Sequence, residues 1–531
     1  MGDIRSSSIS RRELLAMIGR TTSAAVMYQA MSSLGYAAES DFQGPVSLEG
    51  APKGTSVLVL GAGLAGMTAA LELRKAGYKV QVLEYRDRAG GRSWSLRGGD
   101  TYTELGGLTQ HCDFEKGLYI NPGPWRIPYH HRALLHYCKL LGVKLEAFVE
   151  MNANAYLHNS KAFGGKPQRF RYIMSDFNGY VSELLAKATD QGKLDQEVAK
   201  DERDILLEAL RRWGALDDKY AYTSATASGM RGYDKDRGGG PDGAPTPSTP
   251  ISRADILKSG LWQHLSFPLT YEFAPTLFQP VGGMDMIAQG FAREVGSLIQ
   301  FNAKVTDIAQ NDSGVTVTYV DAQHGGEARQ ANADWCVCTV PLSILSQIRN
   351  NFSSTLQAAI NAVPYAPAIK AGLQFKRRFW EEDEAIYGGI SYTDLPIGQV
   401  SYPSTDYQKP GKGVILGAYM FGISAVEFTS LSPSERLQRV LEYGTQLHPQ
   451  MSTEFDNGIS VAWHRVPWTL GCYGMWKDDT RQQYYKDLCA IDGHTVLAGE
   501  HCSYVNAWQE GAILSSLSAI GRLHQRVIAG S

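Results

Sequence analysis

Residues 55–66, Thr55-Ser56-Val57-Leu58-Val59-Leu60-Gly61-Ala62-Gly63-Leu64-Ala65-Gly66, decide the fold. The apolar run reads as a strand buried on both faces, and the Ala- and Leu-rich stretch running on to Gly77 reads as a helix. A second strand, Lys79-Val80-Gln81-Val82-Leu83, follows and ends on Glu84. Together these are the parts of a βαβ dinucleotide-binding fingerprint. Gly61 permits the tight turn, Gly63 lets the backbone approach a pyrophosphate, and Gly66 allows close packing of helix on strand. The helix N-terminus adds unpaired N–H donors and a positive dipole end. Glu84 stands where a carboxylate accepts hydrogen bonds from ribose hydroxyls. The expected fold class is α/β with a Rossmann-type domain at its start.

Just downstream, Arg88-Ala89-Gly90-Gly91-Arg92 adds two glycines and a guanidinium suited to bidentate contact with pyrophosphate. An RxGGR element after the ribose acid resembles the flavin-containing amine oxidase family, which includes monoamine, polyamine and L-amino-acid oxidases. Later segments carry the same resemblance. They are Phe278-Gln279-Pro280-Val281-Gly282-Gly283-Met284, the returning strand Trp335-Cys336-Val337-Cys338, Thr495-Val496-Leu497-Ala498-Gly499-Glu500, and Trp508-Gln509-Glu510-Gly511-Ala512. The resemblance implies FAD as cofactor, in a discontinuous FAD-binding domain of GR2 type. It places Val305 at the adenine, Gly499 and Glu500 at the ribityl and phosphate end, and Gly511 and Ala512 near flavin O2. Ala65, Arg86, Gly91, Trp125 and Arg126 are further expected cofactor contacts. The implied layout is residues 50–115 with 275–340 and 485–531 for the cofactor, and 341–484 with 116–130 as a mixed-sheet substrate domain. Helical periodicity, as at Leu134, Leu135, Cys138 and Leu141, makes 131–274 a helical lobe. Inside it, 232–250 is low-complexity and reads as a flexible surface loop.

Asn121-Pro122-Gly123-Pro124-Trp125-Arg126-Ile127-Pro128 carries the substrate signal. An Arg held between prolines is rigidly presented, and its fork matches a carboxylate. The segment resembles the GPxRxP element of snake-venom and bacterial L-amino-acid oxidases, whose Arg binds the substrate α-carboxylate. By that resemblance Arg126 and Tyr402 hold the carboxylate and Lys370 holds a water near flavin N5. Trp508 walls the substrate against the flavin, and the Ala507 carbonyl accepts from its amine. Two departures are visible. An insertion, 108–120, precedes the Arg and contains His111 and Cys112, and residue 507 is Ala where the venom enzymes have Gly.

The implied reaction is oxidation of an L-amino acid by O2 to a 2-oxo acid, ammonia and peroxide. A dry aromatic pocket favours the neutral amine, so no acidic general base is expected. Alternatives are an L-amino-acid 2-monooxygenase, a monoamine or polyamine oxidase, and a catalytically silent flavin-binding protein. Gly471-Cys472-Tyr473 resembles the covalent attachment segment of monoamine oxidases, yet noncovalent FAD is the expectation.

The rest of the chain bounds the problem. With 531 residues, 43% of them hydrophobic, the chain has ample core for two to four folding units. A formal net charge of −3 gives no electrostatic footprint for nucleic acid or a membrane surface. Seven scattered cysteines imply neither a disulfide framework nor a metal site; Cys336 and Cys338 alternate in an apolar run and read as core. Ser10-Arg11-Arg12-Glu13-Leu14-Leu15 before a mildly apolar stretch resembles a twin-arginine export signal, so residues 1–45 are set apart and a periplasmic or secreted location is expected. A homodimer is common among such relatives.

Overall fold

The computed structural model describes residues 40–530, and the export reading lies outside them. Strand Ser56–Leu60 sits inside a six-stranded sheet. It runs parallel to Lys79–Leu83 on one side and to Trp335–Cys338 on the other, with Ile299–Gln300 and Thr495–Leu497 extending the parallel array. Ile491–Asp492 closes one edge antiparallel. Register pairs Leu58 with Cys336 and Leu60 with Cys338. These four side chains share one buried face, whereas Val57, Val59 and Val337 fill the other. Both cysteines are free and pack as small hydrophobes.

Helix Leu64–Lys75 packs on the second of these faces with helices Asp285–Val295 and Gln509–Gly530. Its first turn presses on the loop that precedes it. A Cβ at Gly66 would lie 1.9 Å from the Gly61 carbonyl oxygen, so only glycine fits there.

A seven-stranded sheet forms the second layer, and its adjacent strands Ala368–Phe375 and Gly413–Phe421 are buried along their whole length. Side chains alternate across the strand pair. Ile369, Ala371, Ile415 and Met420 face one core, while Ala368, Leu416, Tyr419 and Phe421 face another. Lys370, paired in register with Tyr419, falls on the Tyr419 side. A small sheet of Ile127–Pro128, Leu277–Pro280 and Leu145–Phe148 sets the Arg126 segment against residues just before the Gly-Gly-Met turn.

Helices Phe170–Asp190, Arg203–Trp213, Ser224–Arg231 and Arg253–Ser259 form the helical lobe. Buried Asp176 ties it together, accepting from Tyr222 Oη at 2.9 Å, Arg231 Nε at 3.1 Å and Ile251 N at 2.8 Å. Three features differ from the sequence reading. Helix Arg132–Leu140, in the stretch whose Leu134, Cys138 and Leu141 suggested the lobe, packs instead on the core of the first sheet beside helix Gln509–Gly530, with Ala133 N and Leu134 N donating to Glu510. Tyr156–His158 and Gln168–Arg169 leave the lobe to join the seven-stranded sheet. The low-complexity stretch is also anchored at both ends: Tyr233–Lys235 pairs with Thr246–Pro247, and the buried Ser248 donates its N–H to Ser228 Oγ at 2.9 Å. Backbone pairing thus gives order to a segment with no core of its own. Among the described residues, no helix is long and apolar enough to cross a membrane.

Candidate active site

A cavity of about 870 Å³ runs from the glycine turn to the face of the second sheet. Gly61, Gly63, Ala65, Glu84, Gly91, Val305 and Thr339 line its outer end. An added Cβ at Gly63 would meet nothing within 4 Å, so the backbone there lies bare to the cavity, as a phosphate cradle requires. Glu84 is held at the strand end by two backbone donors, Ala62 N at 2.6 Å to Oε2 and Arg86 N at 2.9 Å to Oε1. Burial pushes its carboxyl up, against those donors and the nearby Arg88 and Arg86 charges. Each oxygen keeps a second lone pair, but Glu84 holds its own loop as well as offering itself to a ribose. Arg86 itself stacks over Trp468 and does not line the cavity.

In the middle of the cavity, Arg92 differs from a simple pyrophosphate fork. Its Nη1 donates to Glu500 Oε1 and to the Cys472 carbonyl, both at 2.8 Å. Glu500 also accepts from Gly474 N and Ala507 N, each at 3.1 Å. Burial alone would raise its carboxyl; the Arg92 charge and hydrogen bond, with the Ala507 N–H, hold it below the usual range. The pair therefore pins three loops, at 92, 472–474 and 507, around the space a cofactor ring needs. Gly499 and Ala512 line that space, and Gly511 lies behind it, where a Cβ would sit 1.9 Å from the Val505 carbonyl oxygen. Burial raises the Cys472 thiol to about 11, which keeps it protonated and a poor nucleophile.

The inner end is aromatic, with Trp125, Phe273, Tyr419, Phe421 and Trp508 in its wall. Arg126 enters there with a fully buried side chain. Its Nη1 donates to Glu150 Oε2 at 2.6 Å, and its Cζ lies 4.2 Å from the Phe273 ring centroid and 5.0 Å from that of Trp125. Glu150 supplies the counter-charge that makes such burial tolerable. Lys370 lies one layer back. Its Nζ donates to the Gly123 carbonyl and sits 4.6 Å and 4.4 Å from the Trp125 and Tyr419 ring centroids. Burial, helped by Arg126, lowers its ammonium to about 7. The lysine thus fixes the loop that presents Arg126, and does not itself line the cavity.

Tyr402 is elsewhere. It shares strand parity with Val400, and both face the core on the far side of the sheet. Its hydroxyl bonds Ser391 Oγ at 2.7 Å and His448 Nε2 at 2.5 Å. It does not reach the cavity, so the carboxylate contact expected of it has no geometric basis. Tyr419 and Phe421 are the sheet aromatics that do. His111 is exposed and Cys112 is buried in the core of the insertion's short strands, and neither lines the cavity. Ala507 and Trp508 both line it. Ala507 has φ +67°, the left-handed region where glycine is preferred.

Sequence reasoning missed four charged or titratable groups. Glu150 answers Arg126 from 24 residues away. Glu272 lines the cavity beside His130 and His131. The His-His pair two residues after Pro128, and an acid set between Tyr271 and Phe273, were the available signals.

Comparison with known proteins identifies the family. Residues 64–523 match the family model for flavin-containing amine oxidoreductases. The chain is 28% identical to YobN of Bacillus subtilis (strain 168), over 87% of this chain and 93% of that one. It is 26% identical to an L-amino-acid oxidase of Vipera ammodytes ammodytes, over 87% and 91% of the two chains. Its fold matches cyclohexylamine oxidase from Brevibacterium oxydans IH-35A with a TM-score of 0.59 at 16% identity, covering 90% of this chain and 100% of that one. The mixed α/β fold, the glycine-lined cavity and the family match over most of its length make this chain a member of the flavin-containing amine oxidoreductases.

Proposed function

We propose that the protein is an FAD-dependent L-amino-acid oxidase, converting L-amino acids and O2 to 2-oxo acids, ammonia and hydrogen peroxide. One observation carries this reading: a guanidinium, Arg126, is built into the aromatic inner wall of the cavity, where a plain amine gives it no task. The Vipera relative named as an L-amino-acid oxidase supports it. FAD fits the bare Gly63 turn, Glu84 and the long cavity, and the protonated Cys472 favours noncovalent binding. The chemistry the flavin supplies when bound is two-electron oxidation at the Cα–N bond, with dioxygen as final acceptor. The chain's own residues do the rest. Arg126 pairs with the α-carboxylate and fixes the Cα position. Trp508, Phe273 and Tyr419 exclude water, and Lys370 holds the 123–126 loop rigid.

A second reading has an observation of its own. The Arg126–Glu150 pair is already neutral, as a purely structural salt bridge would be, and cyclohexylamine oxidase shares the fold. One experiment separates the readings: the purified yellow protein is given L-amino acids, D-amino acids and plain amines under air, and peroxide and organic product are measured. Peroxide with a 2-oxo acid from L-amino acids is expected. An amide with carbon dioxide would indicate a monooxygenase, and turnover of amines alone would make Arg126 structural.

A further inference from the structure

Three carboxyls line the cavity: Glu84, Glu500 and Glu272. The first two are bound by backbone N–H groups or Arg92. Glu272 is different. It is 4% exposed, and neither of its oxygens has a hydrogen-bond partner. Its Oε2 stands 3.5 Å from His130 Nε2 and 3.4 Å from His131 Nε2. Its neighbours touch two of the groups proposed to hold the substrate. Phe273, next in the chain, packs over Arg126, and the His131 ring meets Trp508 edge-on with centroids 4.9 Å apart.

On the reading that Arg126 binds the α-carboxylate, and against the sequence expectation that no acidic base is needed, we propose that Glu272 is the proton acceptor for the substrate's α-ammonium group. An amino acid reaches the cavity as a zwitterion, and its nitrogen lone pair must be free before the Cα–N bond can be oxidised. One ammonium N–H bond breaks, its electron pair stays on nitrogen, and the proton forms an O–H bond on Glu272. No electron leaves the substrate in this step. Glu272 is suited to it because burial pushes its carboxyl up to about 7, moderated by His130 and Arg126, close to the operating pH of a general base. Burial holds His131 down to about 4, so it flanks Glu272 as a neutral ring and does not neutralise it. The other groups facing the cluster are Arg126 with Glu150 behind it, Glu510 beyond His131, and Tyr129 and Tyr271 against the His130 ring.

The test is the pH profile of kcat/KM for wild-type and E272Q holoenzyme. The wild type should lose activity below about pH 7 as Glu272 becomes protonated. E272Q should fall about 10²-fold or more at pH 7, and the deficit should close as the pH nears the substrate amine's own pKa, where free amine arrives from solution. Lys370 also titrates near 7, so Lys370→Met is the control: it should keep the acid limb that E272Q loses. A profile in E272Q parallel to wild type, or a loss independent of pH, would overturn the proposal. So would a wild type with no acid limb, which settles the matter even if E272Q does not fold. Should the wild type oxidise only plain amines, the L-amino-acid reading fails; the same profiles with that amine still decide Glu272.

Discussion

Arg126 and Glu150 meet in a buried ion pair, Nη1 to Oε2 at 2.6 Å, at the inner wall of the cavity. Truncating a desolvated charge that binds a ligand costs about 2–5 kcal/mol. Arg126→Ala should therefore lower kcat/KM for L-amino acids by about 10²-fold or more while flavin remains bound, read by steady-state kinetics and the visible spectrum. Glu150→Gln should act on stability instead. It leaves Arg126 buried without its counter-charge, at a cost of about 3–5 kcal/mol, and should lower Tm clearly.

Tyr402→Phe tests the placement of that side chain. Losing the hydroxyl strips a hydrogen bond from buried Ser391 and His448, which should cost about 1–3 kcal/mol of stability. KM for an L-amino acid should not change. A tenfold rise in KM would put the hydroxyl back at the substrate.

Ala507→Gly removes a side chain from a left-handed backbone position beside Glu500 and Trp508. A non-glycine residue there carries roughly 1–2 kcal/mol of strain. The substitution should be tolerated with Tm unchanged or raised and activity kept, since the Ala507 N–H bond to Glu500 is a main-chain contact. Loss of bound flavin in Ala507→Gly would show that the methyl group shapes the cavity.

Acid stability depends on buried imidazoles outside the aromatic pocket, His448 and His501 among them, with His264 and His464 held down likewise. Burial holds His448 and His501 down to about 4, against an ordinary value near 6.5. Between those values the unfolded chain binds protons that the folded chain refuses, so the folded state loses stability as the pH falls from about 6.5 to about 4. Thermal unfolding followed from pH 7.5 to 4.5 should show Tm falling below about 6.5, with a shallower slope in His448→Gln.

The residues that could be read from the sequence were those whose role is local. The glycine turn, Glu84 and the strand before it announce themselves within 30 residues, and the parallel partner at Trp335–Cys338 was legible as an apolar run. Arg126 could be read because its prolines fix it in place. Tyr402 could not, because which face of a strand turns toward a cavity depends on register with Gly413–Phe421, a pairing set by the whole sheet. Glu150 and Glu272 were invisible for a similar reason: an isolated acid acquires a role only when folding brings it to Arg126 or to the His130–His131 pair. The hairpin within 232–250 was hidden by composition, since its order comes from main-chain pairing and the Ser248 anchor.

The central claim is that this cavity selects a carboxylate next to the amine. The most direct measurement is anaerobic bleaching of the bound flavin by L-leucine, D-leucine and 3-methylbutylamine, which share a side chain and differ only at Cα. The account predicts rapid reduction by L-leucine alone, lost in Arg126→Ala. Equal or faster reduction by the amine, unaffected by that substitution, would contradict it.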